Sequence, residues 1–150
     1  RLARDPDLFA RLKGEPEKIA PFLEEVLRLD SPIQGQFRKA VGDQQLDGHM
    51  IPDGTMLHVR FAAANRDRQV WGEGAGEVQL DRKPPKPHMA FGNGIHFCVG
   101  AALSRLEMRL ALAEILARYR SVRLAEPEQD LPFRTNFHQR GMTSLPLEFE

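Results

Sequence analysis

The chain has 150 residues, of which 41% are hydrophobic, and its 21 basic residues balance 21 acidic ones. This length suits one domain with a core, and the balanced charge argues against a general nucleic-acid or membrane-surface binder. No apolar run approaches the roughly 20 residues that span a bilayer. A single cysteine, Cys98, excludes an internal disulfide, so we expect a reducing, cytoplasmic setting.

Helical patterns dominate the first thirty residues. Asp5-Pro6-Asp7 predicts the start of a first helix, and Gly14 predicts its end. Glu15-Pro16-Glu17 predicts a second helix, which Ser31-Pro32 ends. Apolar residues recur in the second helix at intervals of three and four: Ile19, Phe22, Leu23, Val26 and Leu27.

Short strands are predicted next. Residues 36–41 form one candidate strand. Turn signals at Leu46-Asp47-Gly48 and Pro52-Asp53-Gly54 predict that 45–51 and 55–60 are paired strands.

The second half of the chain contains a long loop and a long helix. Residues 67–99 are rich in glycine and proline, and a loop this long is uncommon unless it serves a function. The clearest helix follows, from Gly100 to Tyr119. Its predicted apolar face consists of residues at helical spacing: Leu103, Leu106, Leu110, Ala113 and Leu116. Short strands are expected over 121–124, 133–139 and 144–150.

The lone cysteine lies in FGNGIHFCVG, Phe91 to Gly100, just before the long helix. Free N–H groups and the positive dipole end of a helix favour a thiolate there. A thiolate can attack a substrate, bind a metal or ligate haem iron; the alternative is a buried structural cysteine. His96 and Cys98 supply too few ligands for zinc. A cysteine hydrolase with a histidine base from elsewhere in the chain stays open.

This loop resembles the haem-binding loop of the cytochrome P-450 family, Phe-x-x-Gly-x-His-x-Cys-x-Gly, at every fixed position. Two further segments support the resemblance. Glu25-Val26-Leu27-Arg28 is similar to the family's Glu-x-x-Arg motif, and Ala64-Asn65-Arg66-Asp67 is close to a segment common in bacterial members. The resemblance implies an α+β, mainly helical cytochrome P-450 fold with small antiparallel sheets. It also implies that residues 1–150 are the C-terminal part of a single domain.

The resemblance assigns roles to residues of the loop and of the first strand. Cys98 would be the axial thiolate on the iron of a non-covalently bound haem b, where electron donation favours O–O cleavage. Phe91 would pack beside that ligand and tune the potential of the iron. His96 and Arg38 would bind the haem propionates. The glycines that would let the backbone turn sharply near the flat cofactor include Gly92 and Gly100.

The resemblance also implies a structural triad of Glu25, Arg28 and Arg82 that holds the cysteine loop. From spacing alone, Glu25 and Arg28 are three residues apart and predict only a local ion pair. Two segments would contribute to a substrate pocket that mixes apolar and polar groups. They are Ile33, Gln34 and Phe37 after the second helix, and Phe137, His138 and Gln139 near the last hairpin.

The implied function is a haem-thiolate monooxygenase that inserts one oxygen atom of O₂ into a small organic substrate. A ferredoxin-type partner would supply electrons by docking on a basic cluster, although a solvated face explains the same charges. The cluster comprises Lys83, Lys86, Arg105 and Arg109.

The central oxygen-activating helix and the N-terminal part of the family domain have no counterpart in this sequence, so we expect the isolated chain to be inactive. The alternative is a truncated, non-catalytic haem-binding or structural fragment that oligomerises through an exposed core. A cysteine hydrolase ranks last, because it leaves the Glu25–Arg28 motif, Arg38 and the loop spacing as coincidences.

Overall fold

The computed structural model describes residues 1–83, 87–127 and 131–150. The α-helices of these ranges are α1 (Pro6–Gly14), α2 (Ile19–Asp30), α3 (Phe61–Ala64), α4 (Arg68–Trp71) and α5 (Ala101–Arg118). Single 3-10 turns span Leu2–Arg4, Pro16–Lys18, Glu73–Gly76 and Gly94–His96. The strands are β1 (Gln36–Lys39), β2 (Gln44–Leu46), β3 (His49–Ile51), β4 (Met56–Val59), β5 (Val122–Leu124) and β6 (Leu147–Phe149). The expected combination of helices with small antiparallel sheets is confirmed.

The first two helices begin and end close to the residues that the sequence predicts. The Asp5 carboxylate caps α1 by accepting the N–H of Leu8 at 2.9 Å, and Pro6 occupies the first helical position, where its missing N–H costs nothing. At the end of α2, the Ser31 hydroxyl donates to the Leu27 carbonyl at 2.9 Å. Local capping chemistry therefore sets the ends of both helices.

The pairing of the central strands differs from the sequence-based expectation. β1 pairs antiparallel with β4, while β2 and β3 form a hairpin of their own. Asp47 and Gly48 have φ values of 49° and 78°, as a tight two-residue hairpin turn requires. The expected pairing of 45–51 with 55–60 is therefore wrong. The Asp47-Gly48 turn folds the first of these segments onto itself and leaves the second to pair with β1.

The C-terminal segment contains one strand pair, β5 with β6, in which Val122 lies opposite Phe149. Residues 133–139, all of which the structure describes, form no strand, so that expectation is wrong. The Asn136 side chain accepts the N–H groups of His138 and Gln139 at 2.8 and 3.1 Å, which turns the backbone away from an extended path.

The core lies where α1, α2, α5 and β5 meet. Its buried members are Phe9, Leu12, Ile19, Phe22, Leu80, Leu112, Leu116 and Val122. Leu116 belongs to the apolar face predicted for α5, but Leu103, Leu106 and Leu110 of the same face are 59%, 44% and 55% exposed. The predicted face is therefore only partly right. Apolar side chains occur on more than one side of α5, and packing on α1 and α2 selects the side that is buried.

Among the described residues, no helix combines the length and the apolar character that crossing a membrane requires.

Candidate functional site

A cleft of about 660 Å³ opens between the end of α2, strand β1 and the loop that precedes α5. Cys98, His96, Phe91 and Arg38 all line it, although Arg38 is distant from the other three in the sequence. The sequence analysis missed several apolar residues of the lining. They include Leu27, Pro32, Phe61 and Ala90. In the sequence these residues are distinguished only by being apolar, and an apolar residue predicts burial without predicting that it lines a cleft.

The loop backbone is folded tightly around Cys98. The Cys98 N–H donates to the Phe91 carbonyl at 2.9 Å, which closes the loop just before α5 begins. Gly92 and Gly94 have φ values of 74° and 73°, a region that glycine adopts without strain. The Cys98 thiol is free and exposed, so the alternative of a buried structural cysteine is wrong. Gly100 has an ordinary φ of −84° and caps the N-terminus of α5.

The remaining loop residues place aromatic and basic groups around the cleft. The Phe91 ring lies 6.3 Å from the Phe97 ring, measured between centroids. His96 is exposed in the 3-10 turn and lines the cleft. Arg38 on β1 donates one guanidinium N–H to the Phe37 carbonyl at 2.7 Å. A guanidinium has five N–H groups, so further donors of Arg38 are available for an anion.

Glu25 lies between two arginines, one from its own helix and one from the long loop. Arg28 Nε donates to one carboxylate oxygen of Glu25 at 2.7 Å, and Arg82 Nε donates to the other at 3.1 Å. Arg28 Nη2 also donates to the second oxygen at 2.9 Å, and the backbone N–H of Gln79 adds a fourth hydrogen bond at 3.0 Å. Burial raises the pKa of Glu25, but the hydrogen bonds from Arg28, Gln79 and Arg82 outweigh it and lower the pKa below its ordinary value. The carboxylate is therefore ionised and fully paired.

The two arginines connect this carboxylate to the long loop. Arg28 is 1% exposed and donates to the carbonyls of Asn65, Ala75 and Glu77 at 2.9, 2.6 and 3.0 Å. Arg82 donates to the carbonyls of Trp71 and Gly74 at 2.8 and 2.7 Å. These carbonyl groups are not paired in any strand, and the two guanidinium groups supply their hydrogen-bond donors. The same hydrogen bonds hold the loop against α2.

Asn65 is a structural residue whose role the sequence analysis missed. Its side chain is fully buried; Nδ2 donates to the Ser31 hydroxyl at 2.9 Å, and Oδ1 accepts the Met89 N–H at 2.6 Å. It therefore joins the end of α2 to the segment that leads into the cysteine loop. The sequence signalled it only as part of Ala64-Asn65-Arg66-Asp67, without a partner.

The structure brings the two candidate substrate-pocket segments together. The Gln34 N–H donates to the His138 carbonyl at 2.7 Å, and Ile33 forms an isolated bridge with Gln139. The Phe37 ring lies 5.7 Å from the Phe137 ring, and Ile33 also lines the cleft that contains Cys98.

His58 is an aromatic neighbour that the sequence analysis did not place in this cluster. Its ring lies 4.6 Å from that of Phe37 and 5.1 Å from that of Phe137, measured between centroids. It lies opposite Phe37 in the pairing of β1 with β4. Only the correct strand pairing reveals this contact.

The basic cluster predicted as a docking surface is only partly available. Arg105 donates to both carboxylate oxygens of Glu24 at 2.7 and 2.9 Å, so its charge is compensated. Lys83 and Arg109 are exposed, and Lys86 lies outside the described residues.

Comparison with characterised sequences identifies relatives of nearly the whole chain. The family model described as Cytochrome P-450 matches residues 20–149. Cytochrome P-450 107B1 of Saccharopolyspora erythraea is 37% identical over 147 residues, which cover 97% of this chain and 36% of that protein. The polyketide biosynthesis cytochrome P-450 PksS of Bacillus subtilis is 38% identical, over 91% of this chain and 34% of that protein. The chain thus spans about a third of the length of these relatives.

Solved structures agree with the sequence matches. The structure of PksS superposes with a TM-score of 0.91 at 37% identity and covers 99% of this chain and 38% of that one. The tirandamycin C-bound monooxygenase TamI superposes with a TM-score of 0.92 at 34% identity, over 99% of this chain and 37% of that one. The cysteine loop, the mainly helical fold and these matches agree, and the chain belongs to the cytochrome P-450 family.

Proposed function

We propose that this chain forms the thiolate-bearing wall of the haem site in a monooxygenase that inserts one oxygen atom of O₂ into a small organic substrate. Proteins of the family are monooxygenases that bind haem b without a covalent link. The single observation that carries the proposal is the exposed Cys98 thiol in the lining of a cleft that Arg38 and His96 also line. We further propose that residues 1–150 are the C-terminal part of one domain.

The residues of the cleft suit a flat, mainly apolar molecule with two carboxylates. Leu27, Ile33, Phe61 and Phe91 supply apolar surface. Arg38 supplies a charge-assisted donor for a propionate, and His96 supplies a second donor. Gly92, which has a φ of 74°, lines the cleft with backbone alone. The donor set is therefore consistent with haem b.

Haem held by the Cys98 sulfur would supply the redox chemistry that activates O₂. The contribution of the chain is binding and orientation. Cys98 presents its sulfur two residues before Gly100, the N-cap of α5. With haem bound, Phe91 would pack beside that sulfur and limit the access of water to it. The Glu25–Arg28–Arg82 triad holds the loop that carries both residues.

We propose that the substrate contacts the aromatic cluster of Phe37, Phe137 and His138, with Ile33, Gln34 and Gln139 at its edge. These residues combine apolar rings with a few polar groups, as small-molecule pockets do. TamI is described as bound to tirandamycin C and PksS as an enzyme of polyketide biosynthesis. An organic molecule of similar character is the substrate class we propose here.

We propose a ferredoxin-type electron donor that docks through Lys83 and Arg109. Both side chains are exposed, and weak redox encounters are steered by such charges. Raising the salt concentration should then slow electron transfer to the haem, because screening shortens the reach of the exposed charges.

A second candidate is a non-catalytic haem-binding or structural fragment that self-associates. Its support is the apolar surface that the described residues leave uncovered: Ile95, Val99, Leu103 and Leu110 are all exposed. Sedimentation velocity over a range of concentrations tests this candidate. Self-association that Leu110→Glu abolishes would support it, and a monomer at all concentrations would contradict it.

The test of the main proposal is the absorption spectrum of the chain with added haem, reduced, with and without carbon monoxide. A strongly red-shifted Soret band indicates thiolate ligation, and Cys98→Ser should abolish it while leaving the unfolding midpoint of the haem-free chain unchanged, since the thiol is exposed. A spectrum of free or histidine-ligated haem in the unsubstituted chain would contradict the proposal.

A further inference from the structure

A carboxylate–histidine–arginine cluster contacts the cysteine loop and has no part in the triad; His88 is buried, whereas the Glu24 and Arg105 side chains are 42% and 39% exposed. Arg105 on α5 forms a two-pronged ion pair with Glu24 on α2, with N–O distances of 2.7 and 2.9 Å. His88 Nε2 lies 3.1 Å from the Glu24 carboxylate, and the His88 side chain is 7% exposed. The cluster therefore ties together two helices and the segment just before the loop.

Hydrogen bonding orients every member of this cluster. His88 Nδ1 accepts the Ala90 N–H at 3.2 Å, which leaves Nε2 as the atom that donates to Glu24. The His88 hydrogen bond is the largest cause that lowers the pKa of Glu24 to about 2; burial opposes it, and Arg105 adds to it. Glu24 is consequently anionic at neutral pH and holds the Arg105 guanidinium in a single plane.

The Arg105 guanidinium also contacts Phe91, which is hydrogen-bonded to Cys98. Its central carbon lies 4.6 Å from the centroid of the Phe91 ring. The Phe91 carbonyl in turn accepts the Cys98 N–H at 2.9 Å. A continuous series of contacts thus runs from Glu24 through Arg105 and Phe91 to Cys98.

We propose that Arg105 is a positioning residue for the Cys98 thiolate and that it acts through Phe91. Its planar guanidinium pairs with Glu24 and covers the Phe91 ring, which holds the carbonyl that fixes the Cys98 backbone. The consequence for haem rests on the function proposed above, whereas the effect on the loop does not require haem. A lysine has neither the planar face nor the two-pronged donor set, so it does not replace Arg105.

The test compares variants of the whole chain by amide hydrogen exchange and by reduction potential. Arg105→Gln and Arg105→Lys remove the planar group, and Glu24→Gln weakens the pair that orients it. The matched control is Arg118→Gln, which breaks the Arg118–Glu114 pair at 3.0 Å near the other end of the same helix. Exchange at the Leu116 amide reports on the global stability of each variant.

We expect the Cys98 amide of the haem-free chain to exchange about tenfold faster in Arg105→Gln and Arg105→Lys, and less so in Glu24→Gln. The Leu116 amide should not change, and Arg118→Gln should leave Cys98 exchange unaltered. With haem bound, the same variants should shift the reduction potential and lower the fraction of carbon monoxide complex with the red-shifted band.

Two results overturn the inference: unchanged Cys98 exchange in all three variants, or an equal acceleration in Arg118→Gln. If Arg105→Gln also accelerates Leu116 exchange, its global stability has changed, and the milder Glu24→Gln variant is used instead. Faster exchange at Cys98 without a change at Leu116 in that variant supports the inference, and unchanged exchange at Cys98 overturns it. A chain that binds no haem but shows the specific change at Cys98 would support the positioning role and contradict the proposed function.

Discussion

Two adjacent glutamates of α2 show how single residues determine this structure. Glu25 is buried and paired with Arg28 and Arg82, whereas Glu24 is half-exposed and paired with Arg105. Neighbouring residues of a helix point in directions about 100° apart, so each carboxylate meets a different part of the chain. Glu25 reaches the long loop, and Glu24 reaches α5.

Replacing Glu25 should destabilise the fold strongly. Glu25→Gln leaves Arg28 buried without its counter-charge, and we expect the free energy of unfolding to fall by about 3–5 kcal/mol. The variant should also bind haem less tightly, because the loop is held less firmly. Urea denaturation followed by circular dichroism measures the first effect. The exposed control Glu114→Gln should change stability by no more than about 0.5 kcal/mol, and an equally small effect of Glu25→Gln would show that the triad contributes little.

Glu24 should make stability depend on pH in the acid range. Its pKa is about 2 in the folded chain against an ordinary value of 4.5. Below 4.5 the unfolded chain takes up a proton that the folded chain does not, so stability present above that pH declines as the pH falls toward 2. Glu24→Gln should make the decline in stability with falling pH less steep. The effect is partial, because solvent screens a half-exposed pair and so limits the contribution of Glu24. Urea midpoints across the window measure it, and an unchanged slope in the variant would assign the decline to other groups.

At the scale of secondary structure, α5 shows that a helix can be predicted without its buried face. The residues Leu112 and Leu116 enter the core, while Leu103 and Leu110 stay exposed. Apolar residues lie on more than one side of this helix, so its own pattern does not select one. The contact with α1 and α2 makes the selection.

The two faces of α5 should respond differently to truncation. Leu116→Ala removes a buried side chain and leaves a cavity, so we expect a loss of about 2–5 kcal/mol in the free energy of unfolding. Leu110→Ala, an equal truncation at an exposed position, should change it by less than about 0.5 kcal/mol. Chemical denaturation of the pair measures the difference, and equal losses would contradict the selective burial of the Leu116 side of α5.

At the scale of the whole molecule, irregular segments are held by side chains rather than by sheets. Arg28, Arg82 and Asn65 all bind main-chain groups of the segment between β4 and α5. Substituting a residue that pairs with these three side chains should therefore alter the cleft, although the substituted residue does not line it. Cys98, which lines the cleft, is exposed.

Haem should stabilise the chain as a ligand that binds only the folded state. At a free haem concentration of 100 times its dissociation constant, the gain is about 2.7 kcal/mol. Thermal unfolding with and without haem measures this gain. Cys98→Ser should reduce it by weakening affinity, whereas Arg118→Gln should not. A midpoint that haem leaves unchanged would contradict a formed haem site in this chain.

Much of the fold follows from local signals in the sequence. The Asp5 cap, the Ser31-Pro32 stop and the start of α5 at Ala101 act over a few residues, so their effect can be read from neighbouring letters. The loop around Cys98 was identified by its resemblance to a family, and its exposure and backbone hydrogen bond are features of the folded chain.

The sequence by itself thus determined the three longest helices α1, α2 and α5, the family resemblance and the identity of the cysteine as the residue to examine, whereas α4 (Arg68–Trp71) lies in the segment predicted to be a loop. Tertiary structure decided which strands pair, which face of α5 is buried, and what Asn65, His58 and Arg105 contact. The physical reason is the distance along the chain over which each interaction acts. Capping and periodicity act within one or two helical turns, whereas a buried amide, a stacked ring or an ion pair between helices depends on which distant segment packs against it.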